Sequence, residues 1–473
     1  MKQNLWINGE SLECDRYRPL FNPFDGEKIA DVAEASKEDV IKAIDSAAGT
    51  AGTMAEMDAH KRSDILRRVA ELIKEDREEC ARLIAEESSK PLKAAFGEVD
   101  RTIMTYTFAS EEARRLHGET IPMDAAPGGE GRVAYTVREP LGVIAAITPF
   151  NFPMNLVAHK VGPAIAAGNT VVLKPASQTP LSAYKIASYF HEAGLPAGAL
   201  NVVTGSGKSV GDVLIADERV KMVTFTGSPE VGKHIRENAG LKRVTLELGS
   251  NSALIVDEGT DLKKVMPRIV TGAFSNQGQV CISIQRIFVH EAIATEFVSS
   301  FIEEAGKLKV GDPLDEQTDL AAMISGNDVT RAKAWIQDAV ESGAELVYGG
   351  DSERQILKPT VLLNAQLTDK ISCEEVFAPV VHINTFDDFA DAIAKVNDSK
   401  YGLQAGVYTN DLQKAMLAAK NLHVGGVMIN EIPTFRVDHM PYGGVKMSGT
   451  GREGIKYALE EMTELKLVSI KLD

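Results

Sequence analysis

Cysteine is scarce in this sequence, and the few cysteines it has lie far apart. They are Cys14, Cys80, Cys281 and Cys373, and no Cys-x-x-Cys pair occurs. Disulfide scaffolds and structural zinc sites need several closely spaced cysteines. We therefore expect neither, predict no metal site, and consider each thiol singly.

Long apolar runs are also missing. A helix that crosses a bilayer needs about 18 or more consecutive apolar residues, and no such stretch is present. The first residues, Met1 to Ile7, lack the apolar segment of a secretory signal. We therefore expect no membrane partner and a reducing, cytoplasmic location.

Positive charge is in the minority. The 51 Lys and Arg residues face 67 Asp and Glu residues, which gives a formal net charge of −16. Nucleic-acid binding needs clustered cationic side chains for the phosphates, so we expect no nucleic-acid partner. The acidic balance still allows a local cationic pocket for a small anion. With 473 residues, of which 44% are hydrophobic, the chain is long enough for two or more globular domains.

The clearest periodicity lies between about residues 140 and 256, where short apolar runs alternate with amphipathic stretches. Strands are predicted at 143–147, 170–173, 200–203, 222–226, 244–248 and 253–256. Helices are predicted between them, at 158–167, 181–193, 209–216 and 230–238, and longer ones upstream at 61–87 and 92–115. This alternation is typical of βαβ units in a parallel sheet. We predict a Rossmann-like nucleotide-binding domain made of residues 1–116 and 138–246.

A second α/β series follows and predicts a catalytic domain over residues 247–440. Its strands are predicted at 285–289, 361–363, 380–385, 405–408 and 426–430, and its helices at 262–274, 292–308, 386–396 and 412–421. Two strand-like segments, 132–137 and 465–472, belong to neither series. Because the terminal strand has no hairpin neighbour in sequence, we expect its backbone groups to pair across a subunit boundary.

Three residues form a pattern suited to chemistry at a carbonyl carbon. Cys281 follows the small, flexible segment 277–279. A thiolate is the reactive form, and a pKa of about 8.5 leaves little of it at neutral pH, so an activating neighbour is expected. Glu247, at the end of a predicted strand, can serve as the base and can also activate a water molecule. Asn151 lies between two phenylalanines and can donate its amide to an oxyanion.

Six motifs in order make the sequence resemble the aldehyde dehydrogenase superfamily over nearly its whole length. They are Pro149-Phe150-Asn151-Phe152-Pro153, Lys174-Pro175, Phe225-Thr226-Gly227-Ser228, Glu247-Leu248-Gly249, Gly278-Gln279-Val280-Cys281 and Glu375-Val376-Phe377-Ala378-Pro379. The resemblance implies NAD(P)-dependent, non-acylating oxidation of an aldehyde through a thioester on Cys281. It also implies that segments 117–137 and 455–473 form a small β oligomerisation element of a homodimer or homotetramer.

The predicted cofactor is NAD or NADP. The predicted binding residues are Thr148, Pro149, Phe150, Lys174, Ser177, Gly207, Gly211, Thr226, Gly227, Ser228, Val231, Leu248, Gly249, Glu375 and Phe377. By resemblance, Lys174 and Glu375 hold ribose hydroxyls and Phe377 packs near the nicotinamide. NAD-preferring relatives often carry Glu at the position of Ser177, so its absence leaves room for the 2′-phosphate of NADP. A glycine-rich segment, 443–454, also resembles a family loop near the cleft.

The substrate is less clearly specified. Arg101, Arg286 and Arg436 are candidates for holding an anionic group, together with Phe152, and the alternative for each arginine is a solvated or structural role. Some phosphate-handling relatives carry Arg at the position of Val280, and its absence here weakens the case for a phosphorylated substrate. We predict a small polar aldehyde such as lactaldehyde, succinate semialdehyde or glyceraldehyde 3-phosphate.

Two alternatives remain open. One is a CoA-acylating aldehyde dehydrogenase, against which Glu247 argues because such relatives commonly lack this base. The other is a non-catalytic binding or structural member of the fold. The intact set of Cys281, Glu247 and Asn151 argues against it.

Overall fold

The computed structural model describes residues 1–472, and most of its strands lie in two large sheets. The first sheet has eight strands, of which the central five are parallel. Their spatial order is Gly449–Thr450, Arg243–Glu247, Val220–Thr226, Val143–Ile147, Thr170–Lys174, Leu200–Val202, Leu5–Ile7 and Glu10–Leu12. Strand Val143–Ile147 is wholly buried because helices cover both faces of the sheet, which explains its continuous apolar sequence.

The two faces of the first sheet have separate cores. Ile144 and Ala146 face the larger core. Its helices are Ala59–Glu75, Arg77–Ser88, Leu92–Ala113, Asn155–Ala167, Leu181–Glu192 and Ile455–Glu461. Val143 and Ala145 face the opposite core, which contains helices Lys37–Glu56, Asp212–Ala216 and Pro229–Asn238. The alternation follows from the period of two in a strand.

One predicted helix in this unit is wrong. The periodic stretch 61–87 is two helices, because the chain leaves helical geometry at Asp76, which caps both of them. The Asp76 carboxylate accepts a hydrogen bond from the Tyr189 hydroxyl at 2.9 Å, which holds this corner against helix Leu181–Glu192.

The second large sheet has seven strands, all parallel except the first. Their order is Glu345–Tyr348, Thr360–Leu363, Val380–Phe386, Arg286–His290, Ala253–Val256, Gln404–Tyr408 and Gly426–Ile429. The helices of this unit are Leu262–Phe274, Glu291–Ala305, Gly326–Glu341, Lys370–Cys373, Phe389–Asn397 and Leu412–Asn421. Strand Ala253–Val256, which follows the first sheet in sequence, thus lies inside the second sheet.

A third sheet has three antiparallel strands, Thr463–Lys471, Arg132–Pro140 and Thr120–Ile121. Every residue of the terminal strand pairs with Arg132–Pro140 of the same chain, so the expected pairing across a subunit boundary is wrong for this edge. Helix Ile455–Glu461 precedes the terminal strand and packs against the helices of the first unit. The chain that leaves this helix therefore lies next to Arg132–Pro140. The other edge of the terminal strand carries no strand among residues 1–472.

The remaining regular structure is small. A three-stranded sheet contains Lys2–Gln3, Lys28–Ala33 and Tyr17–Phe21, and a hairpin contains Ser352–Glu353 and Ile356–Leu357. In the described part of the chain, no helix combines the length and apolar character needed to cross a bilayer.

Candidate active site

A cavity of about 710 Å³ is lined by residues of both large units, with strand ends from the first and loops and a helix from the second. It brings together all three predicted catalytic residues, Asn151, Glu247 and Cys281. Asn151 lies in the turn after strand Val143–Ile147, and Glu247 is the last residue of a parallel strand. Such strand ends are where open α/β sheets bind ligands. Cys281 reaches the same cavity from the second unit.

The loop before Cys281 has an unusual backbone that needs its sequence. Asn276 and Gln277 are both in the left-handed region, with φ of 50° and 58°, and Gly278 follows at 68°. A Cβ on Gly278 would lie 2.1 Å from the Ala378 carbonyl oxygen, so only glycine fits there. The buried Gln277 amide donates to two backbone carbonyls at 2.8 Å each, which anchors the loop.

Cys281 is partly buried and Glu247 is fully buried, and burial favours the uncharged form of each side chain. Burial raises the pKa of the Cys281 thiol to about 11, against the lowering effects of a 2.9 Å contact with the Tyr442 hydroxyl and of the Arg436 charge. Burial raises the pKa of the Glu247 carboxyl well above its usual range, and the negative charge of Glu453 raises it further. Both Glu247 carboxyl oxygens are buried without a hydrogen-bond partner, so they are free to accept a proton.

A buried ionic network lies behind the base. Glu453 accepts hydrogen bonds from Lys160 at 3.0 Å and from Arg436 at 3.0 Å. The charges of Lys160 and Arg436 hold the pKa of the Glu453 carboxyl well below its usual range, despite its burial. The sequence prediction named Arg436 only as a candidate for a substrate anion, and it missed Lys160 and the role of Glu453. The available signal was the glycine-rich segment 443–454, which contains Glu453.

Asn151 is inside the site, but its amide is already engaged. Its Nδ2 donates to the Gln279 carbonyl oxygen at 2.9 Å, while its Oδ1 is buried without a partner. An oxyanion therefore has to be bound by the second N–H of this amide, which the Gln279 bond leaves available.

The part of the cavity that is lined by predicted cofactor residues has a carboxyl group that can accept hydrogen bonds from ligand hydroxyls. The predicted cofactor residues that line it are Pro149, Phe150, Thr226, Gly227, Ser228, Leu248, Gly249, Glu375 and Phe377. The partly buried Glu375 carboxyl accepts a hydrogen bond from the Ser250 N–H at 2.9 Å, and desolvation raises its pKa to about 7. A Cβ on Gly249 would lie 2.5 Å from a Glu375 oxygen, so glycine is needed for this close approach. Phe150 and Phe377 pack edge to face, 5.8 Å apart.

Lys174 has the properties of a ligand-binding cation. Its side chain is nearly buried, and its only hydrogen bond among residues 1–472 is a long one, 3.4 Å, to the adjacent Pro175 carbonyl. Burial, together with the smaller effect of the Arg18 charge, lowers the pKa of the Lys174 ammonium to about 8. A buried donor with so weak a partner fits a ligand that supplies oxygen atoms.

Lys174 and the remaining predicted cofactor residues do not line the cavity. Thr148 donates its backbone N–H to the Lys174 carbonyl at 3.1 Å, and the Ser177 hydroxyl donates to the Gly205 carbonyl at 3.3 Å. Gly207 and Gly211 bound a single helical turn, and Val231 is exposed on helix Pro229–Asn238. The prediction missed Arg18, whose guanidinium donates to the Ser177 carbonyl and so brings a second cation to this region.

Three of the four residues that were predicted to bind the substrate line the cavity. Arg101, Phe152 and Arg436 line the cavity. Arg286 does not, and its predicted substrate role is wrong. It is only 3% exposed. Its guanidinium donates to three backbone carbonyls at 2.9 to 3.3 Å, so it is a structural residue that ties the second unit together.

The family is decided by sequence comparison. A model described as "Aldehyde dehydrogenase family" matches residues 6–468. The chain belongs to the aldehyde dehydrogenase family. As a member, it is an NAD(P)-dependent oxidoreductase that oxidises a small aldehyde through a cysteine thioester. The predicted family, fold class and cofactor type are thus confirmed.

Two relatives are similar to this aldehyde dehydrogenase over almost the whole chain. It is 47% identical over 468 residues to a 3-sulfolactaldehyde dehydrogenase from Priestia megaterium, covering 99% of this chain and 98% of the relative. It is 40% identical over 471 residues to a lactaldehyde dehydrogenase from Methanococcus aeolicus, covering 98% of each.

Two solved structures are also similar. Aldehyde dehydrogenase 21 from Physcomitrella patens, in complex with the reaction product succinate, superposes with a TM-score of 0.97 at 39% identity, covering 99% of this chain and 98% of that one. Glyceraldehyde-3-phosphate dehydrogenase GapN from Methanocaldococcus jannaschii, complexed with NADP, superposes with a TM-score of 0.93 at 39% identity, covering 97% and 100%.

Within residues 1–472, no group of three or more His, Cys, Asp or Glu side chains converges to hold a metal ion.

Proposed function

We propose that this aldehyde dehydrogenase oxidises a small aldehyde with an anionic group, and that Arg101 and Arg436 bind the anion. One observation carries the proposal: the Arg436 Nε is buried at the cavity without a hydrogen-bond partner. A buried guanidinium nitrogen without a partner is costly unless a ligand supplies an acceptor. The rest of Arg436 is held by Glu453 at 3.0 Å, so the free nitrogen is fixed in place.

Arg101 adds the second positive charge. Its guanidinium donates to both oxygens of Asp438, at 2.6 and 3.2 Å, and remains partly exposed at the cavity. Its charge centre lies 5.8 Å from the Phe152 ring, which gives the pocket an apolar wall beside its cations. A carboxylate or sulfonate on a two- or three-carbon aldehyde matches this combination. The substrate named for the 3-sulfolactaldehyde relative and the succinate bound to the moss enzyme carry such an anionic group, whereas the substrate named for the lactaldehyde relative is a small, uncharged hydroxyaldehyde.

The catalytic roles follow from the positions of three side chains. We assign Cys281 as the nucleophile, which loses its thiol proton to the Glu247 carboxylate as the S–C bond forms. The Asn151 amide and the Cys281 backbone N–H stabilise the oxyanion. The nicotinamide supplies the hydride acceptor when it is bound. After Glu247 has released the thiol proton to solvent, it takes a proton from the water that attacks the thioester, and hydrolysis releases the carboxylic acid and frees Cys281.

We propose that the unit of residues 1–116 and 138–246 binds the nucleotide and that residues 247–440 carry the nucleophile. Lys174 and Glu375 would hold ribose hydroxyls, and Ser228, at the start of helix Pro229–Asn238, would place the pyrophosphate at a helix N-terminus. Ser177 contributes no carboxylate and lies beside the Arg18 guanidinium. The enzyme should therefore accept NADP.

A panel of aldehydes tests the substrate class. Formation of NADH or NADPH is followed with three anionic aldehydes, succinate semialdehyde, 3-sulfolactaldehyde and glyceraldehyde 3-phosphate, and with two uncharged ones, lactaldehyde and propanal. We expect the anionic aldehydes to have the higher kcat/KM. Arg101→Gln should lower kcat/KM for them by about 10- to 100-fold, the size of a lost charge-assisted hydrogen bond, and should leave propanal nearly unchanged.

Two outcomes would contradict this proposal. Equal kcat/KM values for propanal and the anionic aldehydes in the wild-type enzyme would show that the enzyme has no binding site for a substrate anion. If the enzyme forms acyl-CoA instead of the free carboxylic acid when CoA is supplied, that product would favour the acylating alternative over Glu247-assisted hydrolysis.

We propose that the third sheet is an assembly surface. Its exposed apolar side chains are Val133, Tyr135, Leu465, Leu467 and Ile470, which are 40 to 55% exposed. Apolar side chains on a sheet with a free edge are usually covered by a partner. A homodimer or homotetramer built on this sheet would cover them.

A further inference from the structure

Tyr442 is in direct contact with the catalytic sulfur. Its hydroxyl oxygen lies 2.9 Å from the Cys281 Sγ, and in the described part of the chain this is the only hydrogen bond of either side-chain atom. Tyr442 is buried and lines the same cavity. The thioester mechanism as outlined above does not use it.

The surroundings of Tyr442 hold the hydroxyl on the sulfur. Its backbone N–H donates to the Glu453 carbonyl at 3.0 Å, and the Glu453 N–H donates back at 2.7 Å. The ring packs with Val280 and Ile282, which flank the nucleophile in sequence. The Arg436 guanidinium lies over the ring face, 3.7 Å from its centre. The phenol is therefore a preorganised group.

We propose that Tyr442 is a catalytic residue whose hydroxyl donates a hydrogen bond to the Cys281 sulfur and stabilises the attacking thiolate. The inference rests on the proposed function, because it takes Cys281 as the nucleophile. In the thiol state either atom can donate. Once the thiol proton has passed to Glu247, only the phenol can, since a thiolate has no hydrogen.

The charge balance favours this role. Burial raises the pKa of the Cys281 thiol to about 11, so thiolate is scarce unless nearby groups favour it. Burial raises the pKa of the Tyr442 phenol well above its usual range, so it keeps its proton while donating. The Arg436 cation over the ring draws electron density from the phenol and strengthens the O–H donor. When the S–C bond forms, the sulfur becomes neutral and the hydrogen bond weakens.

Replacing the hydroxyl tests the proposal with little change in packing. In Tyr442→Phe, the rate at which iodoacetamide alkylates Cys281 is measured across pH, by mass spectrometry of the peptide that carries it. We expect the thiol pKa to rise, lowering the thiolate fraction at neutral pH by about 10-fold or more. Because the remaining thiolate is more nucleophilic, with a Brønsted slope of about 0.4–0.5, the alkylation rate should fall only about 3- to 10-fold.

A matched control is Tyr408→Phe. Tyr408 is also a buried tyrosine of the second unit, in its core and away from the cavity. This variant should leave the pH profile of Cys281 alkylation unchanged. As a second test, 3-fluorotyrosine at position 442 keeps the ring and supplies a more acidic phenol, so the thiol pKa should fall below that of the wild type.

The direction of the change decides the outcome. An unchanged profile in Tyr442→Phe, or an unchanged one with 3-fluorotyrosine, would overturn the proposal. A lower thiol pKa in Tyr442→Phe would mean that the thiol donates to the phenol, which also overturns it. The assay needs no aldehyde, so it is separable from the proposed function, which fails only if the wild-type enzyme reduces no NAD(P) with any anionic aldehyde.

Discussion

Replacing Glu247 with Gln should separate the two halves of the reaction. Both carboxyl oxygens of Glu247 are buried without a hydrogen-bond partner, so the change breaks no hydrogen bond. Burial also raises the pKa of this carboxyl and so favours its protonated form. The neutral Gln side chain resembles that form in charge and shape. We therefore expect Glu247→Gln to fold normally and to lose only the base.

The size of the effect follows from what a general base contributes. Removing one slows the step that it serves by about 10²- to 10⁴-fold, or about 3–5 kcal/mol in the barrier. Hydrolysis of the thioester needs a proton taken from water and should lose this full amount. Acylation should lose less, because Tyr442 and Arg436 also favour the Cys281 thiolate.

Rapid mixing of enzyme, NAD(P) and aldehyde measures both steps. Glu247→Gln should release a burst of reduced nicotinamide about equal to the enzyme concentration, followed by a very slow steady state. In the wild type, steady turnover should rise with pH through the raised pKa of Glu247, since only the carboxylate accepts a proton. The variant should lose this pH dependence.

Glu247→Asp provides the comparison, because it keeps the carboxylate but withdraws it by one methylene. It should recover part of the hydrolysis rate. If the burst in Glu247→Gln disappears together with steady turnover, Glu247 is required before thioester formation and the assignment of its main role to hydrolysis is wrong.

Three further predictions follow from the same structure. Cys281→Ala should reduce turnover below about one hundredth of the wild-type value while titration shows unchanged NAD(P) binding; higher residual turnover would argue against covalent catalysis. Ser177→Glu should shift the ratio of kcat/KM values towards NAD by repelling the 2′-phosphate, and Arg18→Gln should raise KM for NADP more than for NAD; equal selectivity in wild type and variants would place this region outside the nucleotide site. Deleting residues from Lys466 onward removes most of the terminal strand of the third sheet and should convert the oligomer to monomer or aggregate; light scattering that finds the full-length protein monomeric at micromolar concentration would contradict the assembly proposal.

Local sequence patterns were sufficient for the architecture. Strand 143–147 was predicted with its observed bounds, because a strand buried on both faces is written as one continuous apolar run. Helix 92–115 differs from the observed Leu92–Ala113 only at its end. The break at Asp76 was missed because both helices continue the same mixture of charged and apolar residues. Only tertiary contacts, those of Asp76 with Tyr189 and Lys185, mark the corner.

The candidate site divides in the same way. Asn151, Glu247 and Cys281 stand in short motifs whose neighbours shape the backbone locally, as Gly278 does for the cysteine loop. Arg101, Arg286 and Arg436 have no such motif, and the sequence treated them alike. Only the fold distinguishes the arginine that is enclosed by backbone carbonyls from the two that line the cavity.

The sequence by itself determined the family, the α/β class and the chemistry, because strand period, glycine requirements and reactive side chains are encoded within a few consecutive residues. The tertiary structure alone decided which distant groups meet. Tyr442 reaches the sulfur of Cys281 across 161 positions, and strand Thr463–Lys471 pairs with Arg132–Pro140 more than 300 positions away. Such contacts depend on how complete helices and sheets pack, and no local pattern records them.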